Sequence, residues 1–481
     1  MRDIPNAVVI GAGITGLAAA FRLQQLGIPT LVLEASGKAG GLISTIRRNG
    51  FLFEGGPQCP RFPKSVWTLI RELQLEDEFL AGDPRAKRYI LRNGRLHRAP
   101  FSASDLLTTG LVGFKSKYLV LSEVFRHTHP PAGEESLAEF VRRKFGAEML
   151  DYVVDPIVST IFFGDTQKMG MHSAFPALVE WEQSRGSLVR GALRAYQSKR
   201  KALSQLQLSG PSSNNSTHKG RELQVTDALP ALGSFKQGMG TLVERLAEKL
   251  REELQFGAKV ESVAALTGAD KGEPRWRIRL SGGDELTADG LVLAVPANAA
   301  ATLLGKSAPK LASLLAAIEH APITVVSSAF HRRQVLHSLD GFGFMVPRRE
   351  GLRTICTFWN SSLFPAQAPE DKVLMTSFVT GQNTGDPREL SDGLLAQTVE
   401  AENAAVLGIA GAPVDRMVWK HARALPQYNV GHSQRVKEIR EALSNMPSLF
   451  LAGNYLAGRS VGECAEAGSQ AAELLHSRCR I

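Results

Sequence analysis

Nowhere does this chain hold the roughly 20 uninterrupted apolar residues that a bilayer-spanning helix needs. Even the apolar stretch 106–125 is interrupted by Lys115, Lys117 and Glu123. The sequence therefore predicts a protein that does not cross a membrane. Cysteine is equally sparse. Cys59, Cys356, Cys464 and Cys479 lie far apart and form no Cys-x-x-Cys pair, which argues against a zinc site or a disulfide framework and for a reducing compartment. A secretory leader finds no room, because a glycine-rich motif opens at Gly11, so the expected location is the cytoplasm. Acidic residues are missing from 85–98, where Arg85, Lys87, Arg88, Arg92, Arg95 and Arg98 gather part of the net charge of +9. Such a patch favours an anionic partner. It lacks the regular aromatic interleaving of a stacking platform, and no RNA- or DNA-binding module is recognisable, so a carboxylate substrate or an anionic membrane surface is expected and no nucleic acid.

Glycine, by contrast, is placed with purpose. Gly11-Ala12-Gly13-Ile14-Thr15-Gly16 follows the apolar run Ala7-Val8-Val9-Ile10, precedes a helix-compatible segment at 17–26, and leads to Leu31-Val32-Leu33-Glu34. This is the order of a dinucleotide-binding βαβ unit. The first glycine permits the tight turn, the second lets backbone amides approach a pyrophosphate, and the third lets helix and strand pack closely. Glu34 ends the second strand, where an acid can hold a ribose hydroxyl pair. A second glycine signal follows in Gly37-Lys38-Ala39-Gly40-Gly41 and again in Glu54-Gly55-Gly56-Pro57-Gln58. Repeated backbone-only approaches imply a long ligand and favour a flavin over a nicotinamide cofactor.

At 481 residues the chain calls for two or three domains. Segments 136–145 and 147–157 read as amphipathic helices within a strand-poor region, and 205–228 reads as a mobile polar loop. Beyond it the pattern predicts a helix at 240–254, a strand at 258–263, and a hairpin from 276–280 and 285–287 that continues into one apolar strand over 288–296. Strands are also expected near 324–331, 341–347, 354–358, 373–379 and 449–454, with a final helix from about Ala465.

Together these pieces resemble the flavin-dependent amine oxidase superfamily over nearly the whole chain, and within it the porphyrinogen oxidases. The superfamily signals are Gly11 to Gly16, Glu34, the Gly40-Gly41 pair, Glu54 to Pro57, the apolar strand at 288–296, and Gly453 to Cys464. The narrower signals are Leu425-Pro426-Gln427-Tyr428-Asn429-Val430-Gly431-His432, Phe162-Phe163-Gly164-Asp165, and Gly341-Phe342-Gly343-Phe344-Met345-Val346-Pro347.

The resemblance implies an α/β fold, α+β overall, in which a discontinuous Rossmann-like FAD-binding domain (1–84, 229–305, 425–481) joins a mixed-sheet substrate domain (85–100, 306–424). A helical membrane-associated insertion (101–204) and the polar loop (205–228) complete the expected organisation. FAD would touch Gly11, Ala12, Gly13, Ile14, Thr15, Gly16, Glu34, Lys38, Gly41, Leu42, Gly56, Pro57, Gln58, Cys59, Val260, Asn454, Arg459, Ser460 and Val461, with the last helix directing its positive end at the flavin. Arg88 would pair with a substrate propionate, Thr160 and Gly164 would border the ring, and Phe342, Met345, Ile355 and Phe378 would sandwich it. Without the resemblance, those four apolar residues would read as core and Arg88 as a surface cation. The chain departs from its relatives at Thr160, Phe163, Arg459, Gly462 and Glu463.

The reaction implied is oxidation of protoporphyrinogen IX to protoporphyrin IX in heme biosynthesis. It removes six electrons as three hydride-and-proton steps, with dioxygen as acceptor and hydrogen peroxide as product, and uses no side chain as catalytic base and no metal. Coproporphyrinogen III is the alternative substrate. An amine or carotenoid oxidoreductase, or a flavin-binding scaffold without catalysis, are more distant readings. Peripheral attachment to the cytoplasmic membrane, a homodimer and hand-off of product to the next enzyme of the pathway complete the expectations.

Overall fold

The computed structural model describes residues 6–126, 131, 133–192, 194, 197, 231–266, 275–446, 448–456, 458 and 460–479. The polar loop at 205–228 and Arg459 thus lie outside the described residues.

The apolar runs form the centre. Ala7–Ile10 and Gly290–Leu293 are buried along their full length and pair in parallel, flanked by Thr30–Leu33 and Leu254–Gln255 on one side and Leu449–Leu451 on the other. Alternation then sorts the side chains. Ala7, Val9 and Val292 face the helices Ile14–Gln25, Gly240–Lys249 and Val461–Cys479, whereas Val8, Ile10, Leu291 and Leu293 face the helices Ala297–Leu304 and Pro309–Ala316 and the antiparallel sheet Val260–Leu266, Arg275–Leu280, Glu285–Ala288. A sheet covered on both faces explains why its strands read as uninterrupted hydrophobic runs.

A second sheet has seven strands in the order Asp415–Pro426, His320–His331, Lys372–Thr380, Thr354–Phe358, Gly343–Met345, Arg88–Arg92, Arg95–Arg98. Its neighbours are antiparallel except Gly343–Met345 beside Arg88–Arg92. One face packs on the helices of residues 103–185, through Leu137, Phe140, Val141, Leu150, Val158 and Phe162.

Several boundaries differ from expectation, each for a local reason. The last helix begins at Val461 rather than Ala465, because the Ser460 hydroxyl accepts from the Glu463 amide while the Glu463 carboxylate accepts from the Ser460 amide, a capping box that the Ser-x-x-Glu spacing encodes. The helix at Gly240 stops at Lys249, and Leu254–Gln255 becomes an edge strand. The single strand expected over 288–296 is two: Ala288 ends the hairpin and Gly290 starts the central strand, with Leu475 packed where a Gly290 side chain would stand. The helix expected at 147–157 reaches Phe162 after a π-turn at Leu150–Val154, where Pro156 withholds an N–H from the ladder. The basic patch is a hairpin, closed by Asn93 and Gly94 at φ 51° and 71°.

Candidate functional site

The three glycines of the first loop differ in what surrounds them. Gly11 has φ +103°, and a Cβ there would lie 2.6 Å from the Ala294 carbonyl oxygen. A Cβ at Gly16 would overlap the Gly11 carbonyl oxygen. At Gly13 a Cβ would meet no protein atom within 4 Å. Packing therefore explains the outer glycines and not the middle one, whose open side forms a cradle a ligand backbone could enter.

The neighbouring segments close around that cradle. Gly40 donates its amide to the Ala12 carbonyl at 2.9 Å, a Cβ at Gly41 would come within 3.5 Å of the Gly13 Cα, and one at Gly56 would overlap the Leu42 carbonyl. Glu34 accepts from the Ala12 amide at 2.8 Å through one oxygen and from the Ser36 amide and hydroxyl, each at 2.8 Å, through the other. A carboxylate offers about four lone-pair sites, so capacity for a hydroxyl remains. Val260 follows the segment in which the Gly257 and Ala258 amides donate to the Ser36 and Glu34 carbonyls, and Lys38 is exposed on the same loop, its carbonyl accepting from the Ser36 hydroxyl at 2.8 Å. The last helix packs on the glycine loop's helix so closely that a Cβ at Gly468 would overlap the Thr15 carbonyl, and Cys464, one turn nearer its start, lies beside Thr15. The Asn454 carbonyl accepts from the Tyr428 hydroxyl.

The strand Phe51–Glu54 delivers a buried carboxylate beneath the loop at 55–59. Burial pushes the Glu54 carboxyl up to about 8, against the lowering effect of the Met239 amide and the Thr45 hydroxyl, which both donate to it. A carboxyl held above its unfolded value binds its proton more tightly in the folded protein. Its contribution to stability is therefore fullest below pH 4.5 and is lost as pH rises toward 8. The variant Glu54→Gln is expected to flatten the dependence of melting temperature on pH between those limits. A slope identical to that of the native protein would show that Glu54 does not titrate there.

On the far side of that loop stands the face of the seven-stranded sheet. Ring centroids run from Phe163 to Phe378 at 5.0 Å, Phe378 to Phe358 at 5.6 Å and Phe358 to Phe342 at 5.4 Å. The Arg88 guanidinium lies 4.5 Å from the Phe342 centroid and 5.5 Å from that of Phe101. It donates to the Ala86 and Pro84 carbonyls at 3.2 and 3.4 Å, and no carboxylate of the described residues pairs with it. Burial disfavours its charge, and the Cys59 thiol is near enough to feel it. Met345 and Ile355 are buried in the same face, at 7% and 2% exposure. Thr160 bonds the Pro156 carbonyl through its hydroxyl at 2.8 Å and belongs to the last turn of Asp155–Phe162, where carbonyls lack next-turn partners. Phe163, at φ +49°, ends that helix, and Gln382 donates to its carbonyl at 2.9 Å. Gly164 is buried against Met169 and Gln427.

Phe358, Phe101 and Trp419 escaped the sequence reading. Simple alternation with Cys356 points to Phe358, but a register shift between Thr354 and Cys356 lets Ile355 and Cys356 both join the cluster, which hides the pattern. Trp419 packs against Gly55, leaving no room there for a side chain.

The chain matches the family model described as flavin containing amine oxidoreductase over residues 14–476. It is 30% identical to the mitochondrial protoporphyrinogen oxidase of Nicotiana tabacum, over 98% of this chain and 95% of that protein. Against the coproporphyrinogen III oxidase of Bacillus subtilis identity is 28%, over 97% of each chain. A solved structure from Exiguobacterium sp. 255-15 shares the fold with a TM-score of 0.77 at 24% identity, covering 97% of both chains.

Proposed function

Given that this chain belongs to the family of flavin-containing amine oxidoreductases, we propose that it binds FAD and oxidises protoporphyrinogen IX to protoporphyrin IX with dioxygen as acceptor. It is a flavin-dependent oxidoreductase; the cofactor's identity and the substrate are what the site's geometry supports. The observation that carries the reading is a glycine cradle, open at Gly13, joined through the 55–59 loop to a wall of aromatic rings that ends in an arginine without a carboxylate partner.

The residues fit FAD. Gly13 and Gly41 leave their backbones accessible for a pyrophosphate, Glu34 retains acceptor capacity for a ribose, and the Ser460-capped helix points its first turn toward the same region. FAD held there would supply the two-electron redox chemistry that each of the three rounds requires. The chain's own part is orientation. Arg88 holds a propionate, the rings of Phe342, Phe358 and Phe378 exclude water from the macrocycle, and carbonyls at the end of Asp155–Phe162, among them that of Thr160, accept from pyrrole N–H groups.

Membrane attachment belongs to the same proposal. Phe114, Phe125, Tyr118 and Phe101 are 91%, 79%, 69% and 60% exposed, and Lys115 and Lys117 stand among them. Exposed aromatics interspersed with lysines suit an anionic bilayer surface that carries a poorly soluble substrate.

Purified protein is expected to release FAD on denaturation and to turn over protoporphyrinogen IX faster than coproporphyrinogen III, whose four propionates call for more cations than Arg88 alone. Released FMN would overturn the cofactor assignment, and preference for coproporphyrinogen III would overturn the substrate. Flotation with anionic vesicles that persists in Phe114→Ser/Phe125→Ser protein would remove the membrane face from the proposal.

A further inference from the structure

We infer that Asn360 is a positioning residue, which fixes the cofactor loop at 55–59 against the strand that carries the aromatic wall. The inference rests on the FAD reading and adds a residue that neither the glycine motifs nor the aromatic wall includes.

Asn360 follows directly on Thr354–Phe358 and Trp359, and it is 1% exposed. Its Nδ2 donates to the Gln58 Oε1 at 2.7 Å. The direction of this bond is settled by Gln58's other end, where Nε2 donates to the carbonyls of Glu54 at 3.1 Å and Gly56 at 2.8 Å. Those oxygens only accept, so Gln58 presents its own oxygen to Asn360, and Asn360 must donate.

Gln58 is itself 4% exposed, which makes its three bonds expensive to lose. It works as a staple across the turn, and Asn360 is what holds the staple from the substrate side. Gly55 is already tied, its amide to the Ser44 carbonyl at 2.7 Å and its carbonyl to the His421 imidazole at 2.7 Å. The backbone from Gly56 onward has Gln58 and, through it, Asn360. Asn360's own carbonyl-type oxygen, Oδ1, is buried without a partner, so it is no hub of a wider network. Its one side-chain bond crosses from the helical turn Asn360–Leu363, which follows the strand bearing Ile355 and Phe358, to the loop bearing Pro57 and Cys59. A displacement of either element is thereby passed to the other.

The experiment titrates the apo-protein of the full chain with FAD and reads flavin fluorescence, so it needs no porphyrinogen. Asn360→Leu keeps the branched shape, with bulkier methyl ends, and removes the donor. Its dissociation constant for FAD is expected to rise about tenfold. The double variant Gln58→Leu/Asn360→Leu should lose no more than Gln58→Leu alone, because both changes break one connection. Asn360→Ser, whose hydroxyl is too short to reach Gln58, is the milder variant should the leucine fail to fold, and it should shift affinity in the same direction. A purely structural role would lower the melting temperature of apo-protein while leaving FAD affinity unchanged, or would give losses that add, and either result overturns the inference. A native chain that binds no FAD overturns the cofactor reading and this inference with it, whereas native binding with unaffected variants overturns this inference alone.

Discussion

Gly13→Val is expected to yield a well-folded protein that has lost its flavin. The two properties separate because of where the added methyls would go. Gly13 is in extended conformation at φ −70° and ψ 173°, which valine adopts readily, and a Cβ there meets no protein atom within 4 Å. The variant should therefore melt as the native apo-protein does. On the proposed FAD reading the same open side is where backbone approaches the pyrophosphate, so a branched side chain there would overlap the ligand at a cost of about 1–3 kcal/mol or more, a loss of roughly 5- to 150-fold in affinity. Gly16→Val is the contrasting control, because its Cβ would collide with the Gly11 carbonyl oxygen and destabilise the protein itself. Flavin content by absorbance and melting of the apo-protein decide the matter. Native FAD occupancy in Gly13→Val would remove the cradle from the binding site.

Local rules made the parallel-sheet half of the molecule readable. The glycine spacing, the acid at Glu34 and the fully apolar strands are each dictated by neighbours a few residues away or by burial on both faces, and their placement follows from the residues alone. The aromatic wall obeys no such rule. Phe163, Phe342, Phe358 and Phe378 come from elements between 155 and 380, and what brings them together is sheet register: Gly343 opposite Phe358, and Phe378 opposite Cys356 with a bulge between. Nothing along the chain marks that bulge. The Gln58–Asn360 bond, spanning 302 positions, is illegible for the same reason. One misplaced boundary and one segment left unassigned did have readable signals. Ser460 and Glu463 spell a capping box and Asn93-Gly94 a tight hairpin, so the last helix and the basic strands could have been placed from the sequence.

Arg88→Ala is expected to cut kcat/KM for protoporphyrinogen IX while FAD content stays native. The guanidinium is held in place before any substrate arrives: two backbone carbonyls, of Pro84 and Ala86, accept from it and Phe342 lies under its plane at 4.5 Å. Neither carbonyl nor ring neutralises it. A cation that burial disfavours, and that Asp83 influences without an ion-pair contact, gains from an incoming anion what a paired one would not. Its partial exposure limits the gain, since water screens the pair. A charge-assisted bond in this setting is worth about 2 kcal/mol, or roughly 30-fold. The loss should fall in KM if the propionate only tethers the ring, and in kcat as well if the tether also sets the macrocycle's approach to the cofactor. Lysine at the same position keeps the charge but loses the planar fork and the stack on Phe342, so Arg88→Lys should recover only part of the loss. Unchanged kinetics in Arg88→Ala would make this arginine a bystander and leave the aromatic wall without an anchor. A fall in kcat/KM accompanied by loss of FAD would place Arg88, through its neighbour Cys59, on the cofactor's side of the site instead.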